Sequence, residues 1–177
     1  MADWAGEAGA GAAAGSFADA ASFGEVVVLA CLGSAVSDVL ELAGHQALSG
    51  KLVIDATNPL RFREGAPPEL SVGFDDSLGE QVQRCLPGSR VVKAFNTVGN
   101  TLMVDPDLPG GPPTMFIGGD DPEAKVTVTG ICEDFGWEVS DLGGIERSRV
   151  LEPMCMAWVY HGLGRGSWDH AFKLLHR

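Results

Sequence analysis

Apolar residues along the chain alternate between two patterns. Continuous runs rich in β-branched residues occur at 25–32 (E-V-V-V-L-A-C-L) and 51–56 (K-L-V-I-D-A). Each reads as a strand buried on both faces of a parallel sheet. Shorter runs at 90–95, 114–117 and 137–142 predict three more strands. Between them the period lengthens to that of one helical face: Val36, Val39, Leu40 and Ala43; then Leu78, Val82, Cys85 and Leu86; then Ala124, Val128, Ile131, Cys132 and Phe135. Punctuation supports these boundaries. Ser16 with Asp19 and Ser77 with Glu80 have capping-box spacing, Ser34 can cap the helix after the first strand, and Asp120 and Asp121 stand before Pro122 at a first turn. Gly24, Gly44 and Gly136 close helices. Residues 1–15 are nearly all Ala and Gly and suggest a short helix remnant, then a small-residue strand at 10–14. Residues 60–73 carry no regular pattern and read as a loop. Residues 145–177 read as helical, interrupted at Pro153 and again at Gly162, Gly164 and Gly166.

Alternating strands and helices define an α/β chain, expected to form a single domain over residues 1–177 with its C-terminal helical part at 145–177. Residues 25–56 form a βαβ unit, whose crossover should be right-handed. The strand at 51–56 stops abruptly in Thr57, Asn58 and Pro59, and the strand at 90–95 stops in Asn96 and Thr97. Ligands of open α/β sheets bind beyond the carboxyl ends of the strands. Two strand tips bearing amides and hydroxyls suit a neutral carboxamide or a ribose. The charged residues inside these strands have plainer readings: Asp55 as a hydrogen-bonded structural carboxylate, Lys93 as a lysine reaching out to solvent.

The balance of 24 acidic and 12 basic residues, net −12, lacks the clustered cations of a nucleic-acid groove or an anionic membrane surface. No apolar run approaches membrane-spanning length, and residues 1–15 lack the plan of a secretion signal, so a cytoplasmic protein is expected. Cys31, Cys85, Cys132 and Cys155 form no C-x-x-C pair, and the four histidines lack metal-ligand spacing. Buried, reduced thiols and no metal site are expected. The apolar surface of Met154, Met156, Trp158, Val159, Phe172, Leu174 and Leu175 exceeds what one small sheet covers, which suggests a homodimer through the C-terminal helices.

Several segments together resemble a known family: V-I-D-A-T-N-P-L at 53–60, V-V-K-A-F-N-T at 91–97, G-G-D-D at 118–121, L-E-P at 151–153 and A-F-K-L-L near the terminus. They resemble the NADPH-dependent oxidoreductases of the deazaflavin coenzyme F420, over residues from about 17 to 177. The resemblance implies a Rossmann-like, doubly wound parallel sheet with C-terminal helices. It would be incomplete, because the family's opening strand, glycine-rich turn and helix have no counterpart; Gly9, Gly11 and Gly15 lack the flanking strand and long helix that a phosphate loop needs. It also implies hydride transfer between NADP(H) and F420 or a related flavin-type acceptor, with no side chain acting as nucleophile. By the same resemblance Cys31, Leu32 and Ser34 would border the cofactor ribose, Ala56, Thr57, Asn58 and Pro59 the nicotinamide, and Asn96 and Thr97 its carboxamide side. Gly164 and His170 would face the deazaflavin, and Arg147, Arg149 and Arg165 would offset its anionic tail. Cys31 stands where the family usually has proline. The competing expectation is a catalytically inactive Rossmann remnant that serves as an interaction or structural module.

Overall fold

The computed structural model describes residues 2–177. In chain order the elements are α1 (Ala2–Ala8), α2 (Phe17–Phe23), β1 (Val26–Leu29), α3 (Val36–Ala43), α4 (His45–Leu48), β2 (Leu52–Asp55), β3 (Leu60–Arg63), β4 (Ala66–Leu70), α5 (Leu78–Cys85), β5 (Arg90–Lys93), β6 (Thr114–Gly119), α6 (Pro122–Asp134), β7 (Glu138–Asp141) and α7 (Ser148–Arg165). A five-stranded sheet runs β1-β2-β5-β6-β7, and β3 with β4 forms a separate hairpin.

Strand alternation explains the two cores. Val27, Leu29, Val53 and Val91 face α2, α3 and α5, packing with Ala21, Val36, Leu40, Leu78 and Val82. Leu52, Ile54, Val92, Met115 and Ile117 face the opposite way, against Ala124, Val128 and Cys132 of α6 and against Phe95 and Trp137. A sheet covered on both sides places its functional edge at the strand ends. Both predicted capping serines start their helices, but only Ser16 with Asp19 closes the reciprocal box; the Glu80 carboxylate instead accepts from the Ser77 hydroxyl and from Arg149. The Ser16 hydroxyl accepts from Asp19 N while Asp19 accepts from Ser16 N. Ser77 accepts from Glu80 N at the start of α5, and Asp121 caps α6 ahead of Pro122.

Several expectations are corrected. Residues 10–14 form no strand. The strand predicted at 25–32 is shorter and sits at the sheet edge, so Val26 and Val28, on the same face as Leu52 and Ile54 but at the open end of the sheet, are 40% and 57% exposed. Ser34 lies in a 3-10 turn and makes no capping bond to α3. Residues 60–70 form an antiparallel hairpin turning through Gly65 at φ +70°. Its second strand holds Pro67 and Pro68, tolerated because a two-stranded ribbon has a free edge. The sheet is mainly parallel, yet β6 pairs antiparallel with β5 and carries β7 parallel to itself. The C-terminal part is one helix, α7, which runs through Pro153, Gly162 and Gly164 and ends at Gly166, whose left-handed φ of +66° suits a helix stop. Pro153 is tolerated near the start, where only one intrahelical bond is lost. Residues 167–177 form an extended strap, fixed by Thr114 N donating to Phe172 O at 2.8 Å and Leu174 N to the Thr114 hydroxyl at 3.0 Å. Cys132 and Cys155 are buried thiols; Cys31 is half-buried and Cys85 exposed.

Candidate functional site

The carboxyl ends of β2 and β5 are adjacent because the two strands pair in parallel, Asp55 beside Lys93. The chain leaving β2 through Thr57 and Asn58 therefore meets the chain leaving β5 through Phe95 and Asn96. Asn58 Nδ2 donates to Asn96 O at 2.7 Å, and Asn96 Nδ2 donates to Asn58 Oδ1 at 3.0 Å and to Leu151 O at 2.8 Å. The two amides thus form one latch, which also reaches α7. Phe95 sits in the left-handed region at φ +59°, a costly conformation for a bulky side chain. It turns the backbone sharply at the end of β5, and its ring packs beside Phe135 at 6.0 Å.

Beneath the latch lies a charged cluster. Lys93 is fully buried, and its ammonium reaches Asp55 Oδ2 at 2.9 Å, Glu152 Oε1 at 2.9 Å and the carbonyl of Thr57 at 2.7 Å. It does not extend to solvent, contrary to the sequence expectation; three acceptors inside the protein replace water around its charge. Asp55 is the structural carboxylate its position suggested. Its Oδ1 accepts from Thr57 N at 2.9 Å and from the Thr57 hydroxyl at 2.6 Å. Glu152 accepts from Leu78 N and Gly79 N at the start of α5, where an anion is favoured by the helix dipole. Burial alone would lower the Lys93 pKa, but the charges of Asp55 and Glu152 outweigh it and hold the group above its ordinary value.

The predicted site residues divide accordingly. Thr57, Pro59, Asn96 and Thr97 are buried at this edge, Ala56 and Asn58 are half-buried, and Leu32 and Ser34 are exposed beside it. Cys31 packs into the core margin, where burial, then the Asp55 charge, pushes its thiol pKa up. Gly33 crosses directly over Asn58, so close that any Cβ would overlap the Asn58 carbonyl. His170 stacks on Trp158 at 4.9 Å and exchanges hydrogen bonds with its backbone and indole, Trp158 in turn lies against Gly99 just past Thr97, and Gly164 lies in the last turn of α7. Arg149 is engaged by Glu80 at 2.6 Å and Arg147 by Glu146 at 3.4 Å, so neither is a free counter-charge. Sequence reasoning missed Glu152 and the roles of Lys93 and Gly33. The L-E-P segment was the available signal for Glu152.

Among the described residues Asn96 Oδ1 has no hydrogen-bond partner although it is buried.

A mainly parallel sheet covered by helices on both faces gives the chain a Rossmann-like fold. The family described as NADP oxidoreductase, coenzyme F420-dependent, matches residues 1–59. A provisionally named F420-dependent NADP-reductase from Arthrobacter sp. FB24, solved by crystallography, superposes with a TM-score of 0.86 at 39% identity, covering 90% of this chain and 74% of that one. The F420-dependent NADP reductase of Methanocaldococcus jannaschii is 32% identical over 136 residues, 76% of this chain and 60% of that protein. Metalloreductase STEAP3 of Rattus norvegicus is 29% identical over 135 residues, 76% of this chain and 25% of that protein. The chain belongs to the F420-dependent NADP oxidoreductase family and spans 60% and 25% of these two curated relatives. Among the described residues no helix is long and apolar enough to cross a membrane.

Proposed function

We propose that the β2–β5 edge is the nicotinamide lip of an NADP(H)-linked oxidoreductase whose acceptor is the deazaflavin coenzyme F420 or a related flavin-type ring. The observation that carries this reading is the Asn58–Asn96 latch, which gathers both amide-bearing strand ends at one point. The cofactor pair supplies the hydride chemistry itself when bound. What the chain contributes is position. Asn96 and Thr97 orient the carboxamide, Thr57 to Pro59 form the floor under the ring, and Leu32 and Ser34 line the ribose side. Lys93 and Asp55 keep that floor from moving by fixing both the N–H and the carbonyl of Thr57. Orientation of this kind is the main lever open to a protein whose reactants carry their own chemistry.

Mixing the purified chain with NADPH and F420 should change the absorbance of both. No change, together with no NADPH binding by calorimetry, would reject the reading. The competing reading, a nucleotide-free interaction module, draws support from the exposed apolar edge of β1; a micromolar NADPH dissociation constant would remove it. Of the surface expected to pair, Trp158 and Val159 are buried within the chain itself with Phe172 packed against them, whereas Leu174 and Leu175 stay exposed; together with exposed Val150, Tyr160 and Leu163 on α7 these support a homodimer. Sedimentation at micromolar concentration should then give twice the chain mass, and a monomer would contradict it.

A further inference from the structure

The hairpin β3–β4 springs directly from the candidate lip. Leu60 N donates to Asn58 O at 2.8 Å, and Ser71 bonds Pro59 O through both its backbone N and its hydroxyl, at 2.7 and 3.0 Å. Between this hairpin and the turn after β1 lies an open cleft of about 520 Å³ lined by Ser34, Leu60, Arg61, Phe62 and Ser71. That volume lies within the range of small-molecule sites.

The chemistry of the cleft is specific. Arg61 stands opposite Glu69 in the hairpin register, but Glu69 pairs with Arg63 instead, at 3.2 Å. Among the described residues Arg61 makes no ion pair, so a guanidinium is left uncompensated in a chain of net charge −12. Phe62 beside it is 64% exposed. A free guanidinium offers forked donors to an oxyanion, and an open aromatic face offers a surface to a flat ring.

We propose that this cleft is an anion subsite, in which Arg61 holds a phosphate or carboxylate oxyanion of a ring-bearing co-substrate and Phe62 contacts the ring. It rests on the reductase reading above for the identity of that co-substrate. The oxyanion has two sources, a phosphate of NADP(H) or the anionic tail of the acceptor. Arg61 binds and takes no part in the transfer.

The test compares Arg61→Gln with Arg63→Gln in the full chain. Arg63 shares the hairpin but is already paired, so its variant reports any general loosening of β3. Loss of one charge-assisted contact at a partly open site should raise KM about tenfold with kcat unchanged. An increase for NADPH alone assigns the subsite to the nucleotide, and an increase for F420 alone assigns it to the acceptor. Unchanged KM for both in Arg61→Gln, or an equal rise in Arg63→Gln, overturns the proposal. Should the chain lack reductase activity, titration of the wild type with inorganic pyrophosphate followed by NMR decides separately. Saturable shifts of the Arg61 Nε–H and Ser34 amide signals support the subsite, and their absence overturns it.

Discussion

Replacing Lys93 with methionine removes the one cation that holds two buried carboxylates. The side chains of Lys93 and Asp55 are fully buried and that of Glu152 is 3% exposed, so water cannot substitute for the lost ammonium. Breaking a buried charge pair by deleting one partner costs about 3–5 kcal/mol. Domains carry a total stability of about 5–15 kcal/mol, so a large share would be lost. At about 2–4 °C per kcal/mol for a chain of this size, the melting temperature should fall by about 6–20 °C. Urea unfolding followed by tryptophan fluorescence measures this directly, with an unchanged m-value confirming that the compactness of both states is preserved. The triple variant Lys93→Met, Asp55→Asn, Glu152→Gln removes all three charges and keeps the acceptor for Thr57, but leaves one oxygen for the two N–H groups of Leu78 and Gly79. It should recover only part of the loss. The pH dependence has a definite sign. Because the folded-state pKa of Lys93 is raised above 10.5, its contribution is fully present below that value and disappears as pH rises through the folded value. Lys93→Met should therefore flatten the alkaline limb of the stability profile. A loss below about 1 kcal/mol, far under the buried-pair range, would refute the clamp.

Two further outcomes follow from neighbouring geometry. Gly33→Ala drives a Cβ into the Asn58 carbonyl and against Leu78. It should cost about 1–3 kcal/mol and weaken NADPH binding, measured by urea unfolding and calorimetry, whereas Ser34→Ala should leave stability unchanged. On the acid side, the Arg84 side chain bonded to Asp76 holds that carboxyl at about 2. The pair's contribution is present above the ordinary value of 3.8 and is lost as pH falls toward about 2, so Arg84→Gln should move the acid unfolding midpoint to higher pH. The effect should be small, because Arg84 is largely exposed.

Legibility in the sequence followed the range of the forces involved. The caps at Ser16, Ser77 and Asp121 were readable because each is a local bond within four residues. The strands at β2 and β5 were readable because burial on both faces leaves a continuous apolar run. Strand direction leaves no such mark, so the reversal at β6 was invisible. The hairpin at β3 was hidden because its residues face solvent and Pro67 and Pro68 mimic a loop. At the site, Asn58 and Asn96 were legible as strand ends, but their mutual latch was not. Lys93 misled for a related reason. A lysine in a strand ordinarily reaches water, and only the fold brings Glu152 from α7 to receive it. Residues 167–177, expected to continue as helix, pack as a strap, because the apolar spacing alone does not show where α7 stops at Gly166.

On the function proposed above, the paired amides of Asn58 and Asn96 border the nicotinamide of bound NADPH. The most direct measurement is a titration of the ¹⁵N-labelled chain with NADPH, following the side-chain NH₂ signals of these two residues. Both should shift together and saturate at one dissociation constant, with the Thr57 amide moving alongside them. NADPH binding that leaves all three signals unmoved would place the cofactor elsewhere and contradict the account.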